Sequence, residues 1–209
     1  MDKKQEILEA AFDLFCAKGY HLSVSELASA VGIKTPSLYS HYTSKDQILE
    51  LMIRQEIQRY YACLKQTMLH AENLNCKQTM KSLVDFVLEY FSEYKRLRFW
   101  RTIPLIPNEY LRNVFSELIA DQDSIYTEKM RQCFQRGIEN GEIRPNVSES
   151  ALYLYLSMIQ GVMDGMLLYP RNPSENSFAQ KVFEAYWDGI GATHPGRKGN
   201  EGTQDTGKS

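Results

Sequence analysis

The sequence predicts an all-α protein, with an N-terminal three-helix domain built on a helix-turn-helix and a larger helical domain behind it. Three observations carry this reading. Apolar residues recur at helical spacing along almost the whole chain, cap signatures stand in front of those stripes, and no segment alternates polar and apolar residues as a strand would.

The first helix places Ile7, Leu8, Ala11, Phe12, Phe15 and Cys16 on one stripe, and Lys18-Gly19 closes it. Ser23 and Glu26 form an S-x-x-E capping box for a short second helix with Leu27, Ala28 and Val31 inward, ended by Gly32. After a tight turn, Thr35 is expected to cap a third helix that has Pro36 at its first position. Two short helices joined this closely cross steeply. Leu38 and Tyr42 then pack inward, and Lys34, Thr35, Ser37, Ser40 and His41 face outward, where they can enter a DNA major groove.

Ser44 and Gln47 cap a fourth helix running from about Lys45 to His70, on the order of 38 Å long. Its first turn sits beside the recognition helix and its far end lies in the second domain. A displacement of one domain can therefore tilt the other. A fifth helix is expected from Cys76 to Tyr94, then a break that holds Phe99 and Trp100 and is marked by Pro104 and Pro107. Helix resumes from Asn108 to Asn140-Gly141, with room for a bend near Asp121. Ser148 is expected to cap an apolar helix ending at Tyr169-Pro170, and Ser174 to open the last one, which carries Phe178, Val182, Phe183, Tyr186, Trp187 and Ile190. From Gly191 the composition predicts a disordered tail. The boundaries expected are 1–47 for the helix-turn-helix domain, 48–190 for the larger helical domain and 191–209 for the tail.

A chain of 209 residues with 43% hydrophobic residues can bury a substantial core. A net charge of -2 and a pI near 6.1 run against the basic footprint common in nucleic-acid binders. The first 47 residues hold five lysines (Lys3, Lys4, Lys18, Lys34, Lys45) against six acids (Asp2, Glu6, Glu9, Asp13, Glu26, Asp46). Specific binding then has to rest on a few placed phosphate contacts, with low nonspecific affinity. The four cysteines show no ligand spacing and read as reduced core thiols; His70, between Cys63 and Cys76, reads as an ordinary helix position rather than part of a metal site. No metal or cofactor is expected. The N-terminus lacks the apolar run of a signal peptide, which places the chain in the cytoplasm. The apolar stretch Ala151 to Leu168 is interrupted by Ser157, Gln160 and Asp164, and reads as a buried helix rather than a membrane span.

Gly19-Tyr20, Leu27-Ala28, Val31-Gly32-Ile33, Ser37-Leu38-Tyr39, His41-Tyr42 and Ser44-Lys45 together resemble the DNA-binding domain of TetR-type transcriptional repressors, over roughly residues 5 to 50. Beyond it, the resemblance extends to the helical layout and to the phrase Gly137-Ile138-Glu139-Asn140-Gly141-Glu142-Ile143-Arg144-Pro145. The chain departs in a shorter connection after Gly19 and in Lys34, which stands where a serine or threonine commonly caps the recognition helix. The resemblance implies Tyr39 and Lys45 on phosphates and Lys34, Thr35, Pro36, Ser37 and His41 facing bases, with Ser25 and Ser40 in the same interface. An ammonium at the start of helix four opposes the helix dipole, and an external phosphate would account for Lys45 there; the alternative is a solvated surface lysine.

In the second domain, aromatic residues exceed what a small core needs. They either line a cavity or simply pack. The candidate ligand lining is Phe86, Tyr90, Trp100, Tyr126, Tyr155 and Met166. Ser157, Gly161 and Gly165 recur every four residues, flanked by Leu154, Met158 and Leu168, and form a candidate homodimer face. Asp164 is open to three readings: neutralising a cationic ligand, capping a partner helix, or pairing with an arginine. The function this favours is a ligand-responsive repressor, released from a palindromic operator by a small hydrophobic or amphipathic molecule. An enzyme is disfavoured because no nucleophile-base pair or cofactor motif occurs. A helical adaptor that no longer binds DNA is the alternative.

Overall fold

The computed structural model describes residues 2–147, 149–168 and 177–192. Among them are nine α-helices and two short 3-10 turns: α1 (Lys3–Lys18), α2 (Val24–Ala30), α3 (Thr35–Tyr39), α4 (Lys45–His70), α5 (Cys76–Tyr90), α6 (Tyr94–Thr102), α7 (Glu109–Glu139), α8 (Ser150–Leu168) and α9 (Ser177–Ile190), with the turns at Gly19–His21 and Ile103–Leu105. Three expectations fall outside these residues: the cap at Ser148, the helix opening at Ser174 with the end at Tyr169-Pro170, and the tail from residue 193 onward.

Several elements start where local chemistry dictates. Ser23 and Glu26 complete the expected capping box of α2, and Ser44 accepts from the Gln47 amide at the start of α4. Asn75 and Gln78 form a further box on α5. Gly32 turns the chain between α2 and α3 at φ 68, a left-handed conformation that costs a side-chain-bearing residue energy.

Other elements depart from expectation. Lys34, not Thr35, is the N-cap of α3; it makes no side-chain cap bond, and Thr35 and Pro36 fill the first helical turn, where a missing amide hydrogen costs nothing. α5 stops at Tyr90, and the expected break is instead the helix α6, held by Leu97 and Phe99, both buried. α7 passes Asp121 as one 31-residue helix of about 46 Å. Of the four cysteines, Cys63 is exposed rather than in the core. α8 is not a buried helix: only 22% of its apolar window is covered, because α5, α6, α7 and α9 flank one side of it alone. By length and composition α8 could cross a membrane.

Two main cores result. The first joins α1 to α4 with Phe99, Ile103, Ile106, Leu111 and Phe115, so it runs through the 47/48 boundary. Phe99 lies with its ring centroid 5.5 Å from that of Phe12 and 5.7 Å from that of Phe15. The second packs α5, α7, α8 and α9 around Met80, Phe134, Tyr155 and Phe183. A smaller aromatic cluster, with Phe86, Tyr90 and Phe91, lies where α4, α5 and α6 meet.

Candidate nucleic-acid interface

The reader is braced from behind. Leu38 is fully buried, and the Tyr42 hydroxyl donates to the Lys4 carbonyl at 3.0 Å, anchoring the end of the recognition segment on α1. Lys18 pairs with Glu26 and links the end of α1 to α2. That ammonium, with the Ser23 amide and hydroxyl, holds the Glu26 carboxyl down at about 2.

On the outer side, Ser25, Lys34, Pro36, Ser37, Tyr39 and Ser40 are exposed, and Thr35, His41 and Lys45 are half-buried. Tyr39 is 49% exposed, although its ring would bury readily elsewhere. The Ser40 hydroxyl donates to the Ser37 carbonyl at 2.6 Å, and Ser25 and Ser23 hydroxyls meet at 3.0 Å. Lys45 differs from expectation in its surroundings. Its ammonium donates to the carbonyls of Tyr20 at 2.8 Å and Leu22 at 3.3 Å, and stands 4.0 Å from the Tyr20 ring centroid. Partners inside the chain thus already account for a cation at the first residue of α4; an ammonium has three N–H groups, which leaves one for an external acceptor.

The six candidate lining residues separate into groups. Phe86, Tyr90 and Trp100 surround Tyr60, together with Phe91 and Tyr61, at centroid distances between 4.7 and 5.8 Å. Met166 borders that cluster, whereas Tyr126 stacks on Tyr61 at 5.5 Å. Tyr155 lies apart in the second core, its hydroxyl donating to the Met80 carbonyl at 2.6 Å. Trp100 Nε1 is buried and has no acceptor among the described residues. Tyr60 is central to this arrangement and escaped the candidate set; its place on the α4 stripe was the available signal.

A separate charged cleft of about 340 Å³ opens between α1, α4 and α6, lined by Glu9, Asp13, Glu56, Arg59, Glu93 and Arg96 among others. Glu56 is only 2% exposed; it accepts from the Tyr90 hydroxyl at 2.8 Å and from Arg59 at 3.2 Å. Burial pushes its carboxyl up, against the pull of Tyr90, Arg59 and Arg96. Asp164 resolves to the third of its readings. Arg101 Nε stands 2.9 Å from its carboxylate without alignment for a hydrogen bond, while the guanidinium also donates twice to Gln160 at 2.9 Å.

On α8, Leu154, Ser157, Gly161 and Leu168 are exposed, and Met158 and Gly165 half-buried. Nothing lies within 4 Å of where a Gly161 Cβ would stand.

Residues 7–52 match the family described as bacterial regulatory proteins, tetR family. The HTH-type transcriptional repressor AcnR of Corynebacterium efficiens is 26% identical over 170 residues, 80% of this chain and 81% of that one. The HTH-type regulator YvaF of Bacillus subtilis is 32% identical over 84 residues, 40% of this chain and under half, 43%, of its own length. Among solved structures, the ketosteroid transcriptional regulator KstR2 of Mycobacterium tuberculosis shares the fold with a TM-score of 0.68 at 19% identity, over 92% of this chain and 96% of that one. A capped helix pair braced on α1, a family match over that same segment, and a repressor alignment reaching most of the chain agree: residues 7–52 form a helix-turn-helix domain of the tetR family of bacterial regulatory proteins, and the chain as a whole is similar in sequence to a transcriptional repressor and in fold to a transcriptional regulator.

Proposed function

We propose that this chain is a cytoplasmic, homodimeric repressor, released from a near-palindromic operator by a mostly apolar, aromatic or amphipathic molecule. One observation carries the reading. α4 begins with Lys45 beside the recognition helix and carries Tyr60, the centre of the aromatic cluster, about 22 Å further along the same unbroken helix. A ligand that separates the rings around Tyr60 moves α4, and with it the reader. It does so only through its differential affinity for the two arrangements; a coupling of about 1 to 3 kcal/mol changes operator affinity 5- to 150-fold.

Within the reader, Lys34, Thr35, Pro36, Ser37 and His41 are assigned to bases and Tyr39 and Lys45 to phosphates, with Ser25 and Ser40 beside them. The buried Trp100 donor, unpaired among the described residues, favours an effector that carries a hydrogen-bond acceptor within an apolar body. The open face of α8, with Leu154, Ser157, Met158, Gly161, Gly165 and Leu168, is assigned to the twofold contact; two readers on one axis require half-sites about 34 Å apart or a multiple of it.

The test selects bound duplexes from a random pool, then titrates dyes, acyl compounds and cationic drugs while following Trp100 fluorescence in a Trp187→Phe background alongside operator release. Release that tracks the Trp100 signal and weakens in Tyr90→Ala is the expected outcome. Compounds that quench Trp100 and leave operator affinity unchanged would overturn the effector assignment. A pool that yields no enriched sequence would overturn the repressor reading.

A further inference from the structure

Two cysteines 57 positions apart meet inside the second core. Cys76 opens α5 and Cys133 sits on α7, and their Sγ atoms are 3.6 Å apart. Met80, one turn beyond Cys76 on the same face, brings its thioether sulfur within 3.8 Å of Cys76 Sγ. All three side chains are buried. Metal–sulfur bonds of about 2.3 Å in a trigonal set would hold the sulfurs about 4.0 Å apart. The Cys133–Cys76 and Cys76–Met80 separations, spanned here by S–H hydrogen bonds, are therefore already close to coordination length.

We propose that Cys76, Cys133 and Met80 form a binding site for a soft, thiophilic monovalent cation, Cu(I) or its analogue Ag(I). The donor set decides the class. Two thiolates and a thioether, with no carboxylate or imidazole among them, suit Cu(I); zinc takes four ligands drawn from thiolate, imidazole and carboxylate, and the described residues offer no such group here.

Charge is also provided for. A monovalent cation that displaces both thiol protons to solvent leaves one net negative charge. Arg136 follows Cys133 by three residues on the same face of α7 and supplies positive charge beside its sulfur, and Cys76 stands at the positive end of α5. The nearby Glu142 carboxylate is occupied with the amides of Cys76 at 3.2 Å and Lys77 at 3.4 Å. The backbone is shaped around the same sulfur: a Cβ on Gly137 would come within 2.9 Å of Cys76 Cβ and Sγ. The exposed segment 72–75 directly precedes Cys76 and supplies an entry route. Occupancy would tie α5 to α7 beneath α8, to which Met80 is already joined through Tyr155. The site is independent of the effector assignment and of DNA binding.

The experiment titrates the reduced, full-length protein with Cu(I) under anaerobic conditions against a chromogenic Cu(I) chelator, with X-ray absorption at the copper edge. The expected result is one equivalent held per chain with three sulfur neighbours. Cys76→Ala and Cys133→Ala should each weaken binding by more than about 100-fold, and Met80→Leu, close in volume, by about 10-fold with an unchanged circular dichroism spectrum. Cys63→Ala, which removes the exposed thiol, should bind as wild type does, Ag(I) should compete, and Zn(II) should not. Retention that survives Cys133→Ala in a folded protein, or that disappears in Cys63→Ala, would overturn the site. A Met80→Leu variant with wild-type affinity and only two sulfur neighbours would overturn the three-sulfur assignment.

Discussion

The side-chain amide of Asn108 donates to the Asp46 carboxylate at 3.0 Å, so the residue that caps α7 also holds the first turn of α4. The same nitrogen donates to the Tyr20 hydroxyl at 3.0 Å, which itself donates to the other oxygen of Asp46 at 3.0 Å. Its side-chain oxygen meanwhile accepts from the Leu111 amide at 3.0 Å. One asparagine thus joins the loop behind the reader, the start of α4 and the longest helix of the second domain.

Replacing Asn108 separates these duties. Asn108→Asp keeps an oxygen for the cap but sets a carboxylate against Asp46, so the variant should melt below wild type at pH 7, and added salt, which screens like charges, should narrow the gap. Asn108→Ala, which loses the cap at any salt concentration, should cost about 1 to 2 kcal/mol throughout. A loss for Asn108→Asp that salt leaves unchanged would show that repulsion from Asp46 contributes nothing.

Lys45→Ala should act twice. Its ammonium holds the Tyr20 and Leu22 carbonyls, so thermal stability should drop even without DNA. In operator titrations the salt dependence should flatten by about one unit per reader, with affinity lost alike on all sequences. His41→Ala should instead cost about 1 to 3 kcal/mol at particular base pairs. A destabilised Lys45→Ala with an unchanged salt slope would confine the lysine to its internal contacts.

Glu56 makes stability depend on pH in a definite direction. Burial raises its carboxyl above the ordinary value of 4.5. The folded state therefore holds this proton more tightly than the unfolded chain does, and the group's contribution is greatest below the ordinary range and declines as pH rises through the folded value. Glu56→Gln retains an acceptor for the Tyr90 hydroxyl. Denaturant melts from pH 4 to 7 should show the wild type losing ground to this variant as pH rises. The opposite trend would mean that Arg59 and Arg96 outweigh burial.

Gly161→Leu should leave each subunit folded and the assembly broken, since a side chain there meets only open space within the chain. Sedimentation at micromolar concentration should give dimers for the wild type and monomers for the variant at equal melting temperature. Dimers in both cases would move the contact away from α8.

What was legible in the sequence was local. The Ser23-Glu26 box, the Ser44 cap and the stripes of α1 and α4 depend on residues within a few positions of one another, and the structure reproduces them. α3 starts one residue before the expected cap, because Pro36 is accommodated at the second helical position, where its missing amide hydrogen still has no partner within the helix. α6 is hard to read because nine residues with four basic side chains show too little of a stripe; Phe99 is held by packing into the first core and Leu97 by packing into the aromatic cluster, a tertiary effect. Cys76 and Cys133 looked unrelated because only the packing of α5 on α7 unites them. Trp100 and Tyr90 are candidates in the sequence as aromatic residues on inward stripes, whereas their focus on Tyr60 comes only with the crossing of α4, α5 and α6.

The core that joins Phe12 and Phe15 to Phe99 makes this reader a poor candidate for transplantation. Cut after residue 47, it would present to water the aromatic face that α6 now covers, and it would lose the Lys95–Asp13 pair and the thiol contact from Cys16 to the Lys95 carbonyl. A chimaera that changes the specificity of an unrelated sensor would have to carry α6 and the start of α7 with it, or rebuild the back of α1 as a polar surface. Within this lineage, changes at Phe12, Phe15 and Phe99 are then expected to occur together, as compensating exchanges of volume across the two domains.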